Sequence, residues 1–239
     1  MISRWLPQLL FLAMLGNGIW AADFGEPAPN EGWTLGKQSK GIRLYTHPVP
    51  GMSIDEFRGL GKDGIRIDVV YQVLTDLPAY KDWVDYLAAS SIVRHDTPDE
   101  YIVYHHYDLP WPFSDRDILV RVTLQRDYDH GMLSAKMRAV PDTVLVPVCE
   151  GCVRIPFMDG DIHMRYVTRD STEGYFTERL DLGGSMPQWL NEMIGSELPF
   201  VVLSKLRVEC RKPKYNKLAE TSAEKQGIED AIQRGKLKP

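Results

Sequence analysis

Cysteine is scarce in this chain, with three among 239 residues. That excludes a small module stapled by disulfides, and a chain of this length can bury a core without them. An excess of positive charge is missing too, with 28 Lys and Arg against 33 Asp and Glu. This argues against nucleic acid as a partner, because a phosphate backbone rewards a basic surface. Beyond the first residues, no apolar run approaches the ~20 residues a membrane-spanning helix needs. Internal repeats and low-complexity tracts are absent. No Gly-x-Ser-x-Gly elbow offers a hydrolase nucleophile, since Gly183-Gly-Ser-Met-Pro187 does not supply it. His47, His95, His130 and His163 show neither HxH nor HxxxH spacing, so no pattern asks for a metal.

The first residues form a unit of their own. Arg4 precedes Leu9-Leu-Phe-Leu-Ala-Met-Leu15, and small residues follow up to Ala21 and Ala22. That order is the mark of a secretory signal peptide. We expect residues 1–21 to be removed, with cleavage after Ala21 or Ala22, and the product to be exported to the periplasm. No cysteine follows the cleavage point, so a lipid anchor is not expected. Without Arg4 the balance becomes 27 basic against 33 acidic residues, a net charge of −6.

Two short patterns suggest chemistry. Cys149-Glu-Gly-Cys152 is a CxxC, but a zinc site needs two further ligands, for which Cys210 and His163 are a weak supply. A thioredoxin-like centre places the pair at a helix start, whereas residues 146–153 read as a loop between strands. In an oxidising compartment, Cys149 and Cys152 are expected to form a disulfide pinning that loop. Gly59-Leu-Gly-Lys-Asp-Gly64 spells the dinucleotide fingerprint, with Asp82 near the place of a ribose-binding acid. The preceding strand is amphipathic and no parallel βαβ unit follows, so we read a tight turn before a helix.

The rest of the chain is dominated by alternating segments. Strands are expected at 41–48, 53–60, 88–95, 101–108, 117–126, 132–140, 161–169 and 174–182, with turn residues between them. Ile65, Val69, Val73 and Leu77 have helical spacing, and a short second helix follows at 80–86. The last element runs from 188 to 211, with Ser185 as its expected N-cap. Pro199 must break it into two segments. Residues 213–239 read as a polar, solvated tail, partly helical. A bent antiparallel sheet closed by one long apolar helix is an α+β helix-grip arrangement, with a cavity between helix and sheet.

Alternation on 118–126 puts Ile118, Val120, Val122 and Leu124 on one face, and 132–140 contributes Leu133, Ala135, Met137 and Ala139. These residues could pack a closed core or line a chamber for an apolar guest, and alternation alone does not choose. Of the neighbours His105 and His106, only one can face such a chamber.

Between strands 101–108 and 117–126 stands Pro110-Trp-Pro-Phe-Ser-Asp-Arg-Asp117, a proline-edged turn that sets charges at the head of a strand. With Gly41-Ile-Arg-Leu-Tyr-Thr-His-Pro-Val-Pro50, Glu56-Phe-Arg58, Leu74-Thr-Asp76 with Trp83, and Gly184-Ser-Met-Pro-Gln-Trp-Leu190, it resembles the START family. These are the lipid-transfer domains related to steroidogenic acute regulatory protein. The likeness spans roughly residues 30–212, so a START-like domain is expected over 22–212.

The resemblance implies a helix-grip fold holding one lipid in a tunnel gated by the C-terminal helix, without a cofactor. Many family members carry an acid and an arginine facing each other in the tunnel, and the aligned positions here are His106 and Val122. Losing that pair implies a more apolar or differently anchored ligand. The expected lining is Tyr104, His106, Arg116, Val120, Val122, Leu124, Ala135, Met137, Trp189, Met193 and Phe200. Tyr104, His106 and Arg116 are the candidates to orient the ligand, although Arg116 with Asp117 reads first as a brace for the turn. The expected product is a monomer that touches membranes transiently. An enzyme on the same scaffold is the alternative, with His106 or His163 acting beside Asp108.

Overall fold

Alternation in the sequence becomes one antiparallel sheet in the computed structural model, which describes residues 24–239. The expected signal peptide, residues 1–21, lies outside the described residues. In chain order the strands are β1 (Thr34–Ser39), β2 (Ile42–His47), β3 (Glu56–Asp63), β4 (Leu87–Thr97), β5 (Glu100–Tyr107), β6 (Arg116–Asp127), β7 (Met132–Ala139), β8 (Val153–Arg154), β9 (Phe157–Thr168) and β10 (Ser171–Asp181). They pair in the order β1-β2-β3-β10-β9-β7-β6-β5-β4, and β8 runs parallel to the start of β6. Lys40 and Gly41 join β1 to β2 with φ of 50° and 73°, the paired left-handed geometry that a two-residue hairpin turn demands. Along β4, three register shifts mark bulges. Bulges twist an edge strand and discourage pairing with another chain.

Two sets of helices flank the sheet. Helix α1 (Ile67–Thr75) and a 3-10 segment (Leu77–Asp82) connect β3 near one edge to β4 at the other. After β10 come α2 (Gln188–Ser196) and α3 (Leu198–Glu209). The break between them falls at Glu197, where Pro199 in the first turn of α3 cannot donate to the ladder of α2. The long helix therefore lies in the grip of the bent sheet as two segments. Ser185 does not cap it. Helix α2 starts at Gln188 with the extended Pro187 before it.

Two further expectations need correction. Gly59-Leu-Gly-Lys-Asp-Gly64 is not a turn, because β3 runs through it to Asp63. A Cβ on Gly59 would stand 2.5 Å from Phe176 Cε1 and 2.8 Å from Leu203 Cδ1, so the glycine lets α3 approach the sheet. Nor is 213–239 a solvated tail. It forms α4 (Pro213–Ala219) and α5 (Ala223–Gln233), with Tyr215 and Ala219 buried against Val69 and Val73 of α1. Ile228 packs with Tyr71 and Tyr166. Ser222 caps α5 by accepting from the Lys225 amide at 3.1 Å. Buried Glu224 binds Arg126 Nε at 3.0 Å, and Arg126 Nη2 donates to the Tyr71 hydroxyl at 2.6 Å.

Candidate functional site

A cavity of about 390 Å³ lies between the concave face of the sheet and α3, a size typical of small-ligand sites. Its floor follows from strand alternation. Ile118, Val120, Val122 and Leu124 of β6 point inward, beside Tyr101, His105 and Tyr107 of β5. Ala135 and Met137 extend the floor along β7. Its roof is α3, whose Leu198, Val202, Leu203 and Leu206 recur at helical spacing and turn toward the sheet. Val70 and Leu74 of α1, with Tyr80 and Trp83, close one side. The Tyr80 hydroxyl donates to Leu74 O at 2.7 Å and so locks that corner.

Several ionisable groups interrupt this apolar lining, and two of them, His105 and Glu178, stand without a side-chain hydrogen bond among the described residues. Burial pushes His105 down to about 4, and its buried Nδ1 has no hydrogen-bond partner. Glu178 projects from β10, where burial pushes its carboxyl up to about 7. Among the described residues it has neither a hydrogen bond nor an ion pair. Tyr107 is raised by burial first and by the nearby Glu178 charge second. A buried polar group without a partner costs free energy. When such groups face a cavity, they mark the place where a ligand can supply the missing bonds.

Arg116 lies at the end of the same chamber, and its guanidinium is spent on the fold. Its Nε donates to Leu182 O at 2.9 Å, Nη1 to Ser114 O at 2.5 Å and Nη2 to Gly183 O at 3.1 Å. This ties the proline-edged turn to the link between β10 and α2. Asp117 points the other way, to the convex face, and is fully buried there. Arg154 grips both of its oxygens, Nε to Oδ1 at 2.7 Å and Nη2 to Oδ2 at 2.9 Å, and the Cys149 amide donates to Oδ2 at 3.1 Å. Burial opposes the Asp117 charge, but these bonds outweigh it and hold the carboxyl below its ordinary range. Cys149 and Cys152 form a disulfide within this loop.

Val120, Val122, Leu124, Ala135 and Met137 thus share the cavity, with Arg116 at its rim. Five other expected lining residues lie elsewhere. Tyr104 and His106 are on the convex face, because a one-residue offset on a strand reverses the side chain. His106 Nε2 lies 2.9 Å from Asp115 Oδ2 there. Trp189 is 59% exposed on α2. Met193 packs at the margin of the core cluster without reaching the cavity. Phe200 lies under Lys37, whose Nζ is 4.7 Å from the ring centre. His163 does line the chamber, stacked on Tyr175 at 4.8 Å, but His106 and exposed Asp108 are not there to join it. Of the two neighbouring histidines, it is His105 and not His106 that faces the chamber. Glu178 was missed altogether, though Phe176, Glu178, Leu180 and Leu182 alternate and place a charge in an apolar row.

The START domain family model matches residues 31–213. The solved STAR-related lipid transfer protein of Xanthomonas axonopodis is 33% identical, with 76% of this chain and 100% of that one covered and a TM-score of 0.68. Human StAR-related lipid transfer protein 5 shares the fold at 18% identity, over 79% of this chain and 88% of its own, with a TM-score of 0.65. An uncharacterized Pseudomonas aeruginosa protein is 25% identical over 182 residues, 76% of this chain and 88% of that one. By motif order, fold and these likenesses, the chain belongs to the START domain family.

Proposed function

We propose that the protein binds a single lipid, tail enclosed between sheet and α3, and carries it between lipid surfaces. The observation behind this reading is the largely apolar chamber itself, in which His105 Nδ1 and the Glu178 carboxyl have no hydrogen-bond partner among the described residues. Each methylene buried there contributes about 0.8 kcal/mol, so a tail of eight supplies roughly 6 kcal/mol before the cost of association. Near pH 7 a head group bearing a hydroxyl or amide can donate to Glu178 or His105 and accept from whichever is protonated. The STAR-related lipid transfer protein of Xanthomonas axonopodis supports the same reading.

Loading would take place at a membrane, with the protein working as an exported monomer. Trp111 is 91% exposed at the tip of the proline-edged turn, and Trp189 lies 6.1 Å from Phe113 of that turn. Interfacial tryptophans suit the boundary between water and hydrocarbon. The break at Glu197 is the hinge about which α3 would lift.

Native mass spectrometry of the purified protein and uptake of a fluorescent phospholipid or fatty acid from vesicles test the proposal. One lipid per chain is expected for the wild type. Ala135→Trp, which fills the chamber floor, should cut uptake at least tenfold while leaving the circular dichroism spectrum unchanged. Absence of both co-purified and acquired lipid in the wild type would sink the reading, as would normal uptake by folded Ala135→Trp.

A further inference from the structure

We propose that Cys149, Cys152 and His106 form a second site, on the convex face, for a thiophilic divalent cation of the zinc class, available when the disulfide is reduced. The CxxC lacks further ligands in its own stretch of sequence, but the fold supplies one from β5. One imidazole nitrogen and the two sulfurs lie within 4.8 Å of one another, all three residues partly exposed. Bonds of 2.0–2.3 Å to a tetrahedral zinc leave ligand atoms roughly 3.3–3.8 Å apart. The imidazole therefore needs to close by about 1 Å and the sulfurs to part once their bond is cut.

The surroundings are built to hold these groups. The Cys149 amide is fixed on Asp117, which Arg154 locks through both carboxylate oxygens. The Cys152 amide donates to Cys149 O at 3.1 Å and closes the turn. Cutting the sulfur bond thus leaves the backbone of the loop anchored. Behind the imidazole, Asp115 Oδ2 sits 2.9 Å from His106 Nε2. A carboxylate in that place sets the tautomer and orientation of a metal-bound histidine. Three protein ligands at a partly open surface leave the fourth position to water.

The redox step balances with an external dithiol. Its two electrons and two protons convert the Cys149–Cys152 bond to two thiols, and the dithiol departs as its own disulfide. Cation binding then releases both thiol protons, and neutral His106 ligates without losing one.

Cobalt(II) is the direct probe. The full chain, reduced with a phosphine under anaerobic conditions, should develop thiolate-to-cobalt charge-transfer and tetrahedral ligand-field bands that saturate at one equivalent. The oxidised protein should show neither. The double variant Cys149→Ser, Cys152→Ser should lose the bands although Cys210 remains. Asp115→Asn should weaken binding roughly tenfold, and His106→Ala should do so more strongly. As a second readout, zinc should raise the melting temperature of the reduced wild type and leave both the His106→Ala and the double serine proteins unmoved. A folded, reduced wild type without charge-transfer bands would overturn the proposal. So would His106→Ala binding cobalt with unchanged affinity and spectrum.

Discussion

His105 and Glu178 give the fold opposite responses to acidity. His105 stays neutral in the fold down to about pH 4, whereas a free imidazole takes its proton near 6.5. Between those values the unfolded chain holds the extra proton, so this stability is complete above 6.5 and is lost as pH falls. Glu178 keeps its proton up to about 7 instead of 4.5. Its contribution is complete below 4.5 and is lost as pH rises through 7. Relative to the wild type, Glu178→Gln should therefore gain stability progressively from pH 4.5 to 7, by about 2–3 kcal/mol at the upper end. His105→Phe should gain in the other direction, from 6.5 down to 4. Urea titrations at a series of pH values check both, and parallel curves for Glu178→Gln and wild type would refute a buried, unpartnered carboxyl.

At the level of single elements, the seam between β3 and α3 is the sensitive one. Gly59→Ala places a Cβ against the Phe176 ring and Leu203, with the cost of an overpacked core, about 1–3 kcal/mol. A lowered urea midpoint and weaker lipid retention are expected together, because the displaced helix is also the roof of the chamber. A midpoint equal to the wild type would mean the seam is looser than drawn. The elements themselves were largely legible. Long β-branched runs such as Arg116–Asp127 declared strands, and Pro199 declared the break in the last helix. The phase of β5 was not legible. Ile102 and Leu119 are as buried on the convex face as Val103 and Val120 are on the concave one. With both faces apolar, hydrophobicity carries no phase, and nothing in the sequence favours His105 over His106 as the inward residue. The packing of α4 and α5 was not legible for a different reason. Tyr215 and Ala219, then Ile228, Ala231 and Ile232, are correctly spaced for buried stripes but isolated among charges.

For the molecule as a whole, family membership rested on five motifs in order, while the polar anchors of the chamber depended on pairings between distant strands. Glu178 belongs to β10, His105 to β5, and the strands between them in the sheet are β9, β7 and β6. Only the curvature of the sheet brings such positions to one space. The walls of that space are unequal. Helix α1 is backed by α4 and α5, and the start of β6 by Cys149, Val153 and Arg154, whereas α2 and α3 turn Trp189 and Val208 to solvent. A chamber with one thin wall behaves as a sack rather than a pipe, so an occupant must depart before its successor can enter. Displacement of a bound fluorescent lipid should then proceed at a fixed first-order rate, however much competitor is added. A rate that climbs in proportion to competitor would reveal a second door.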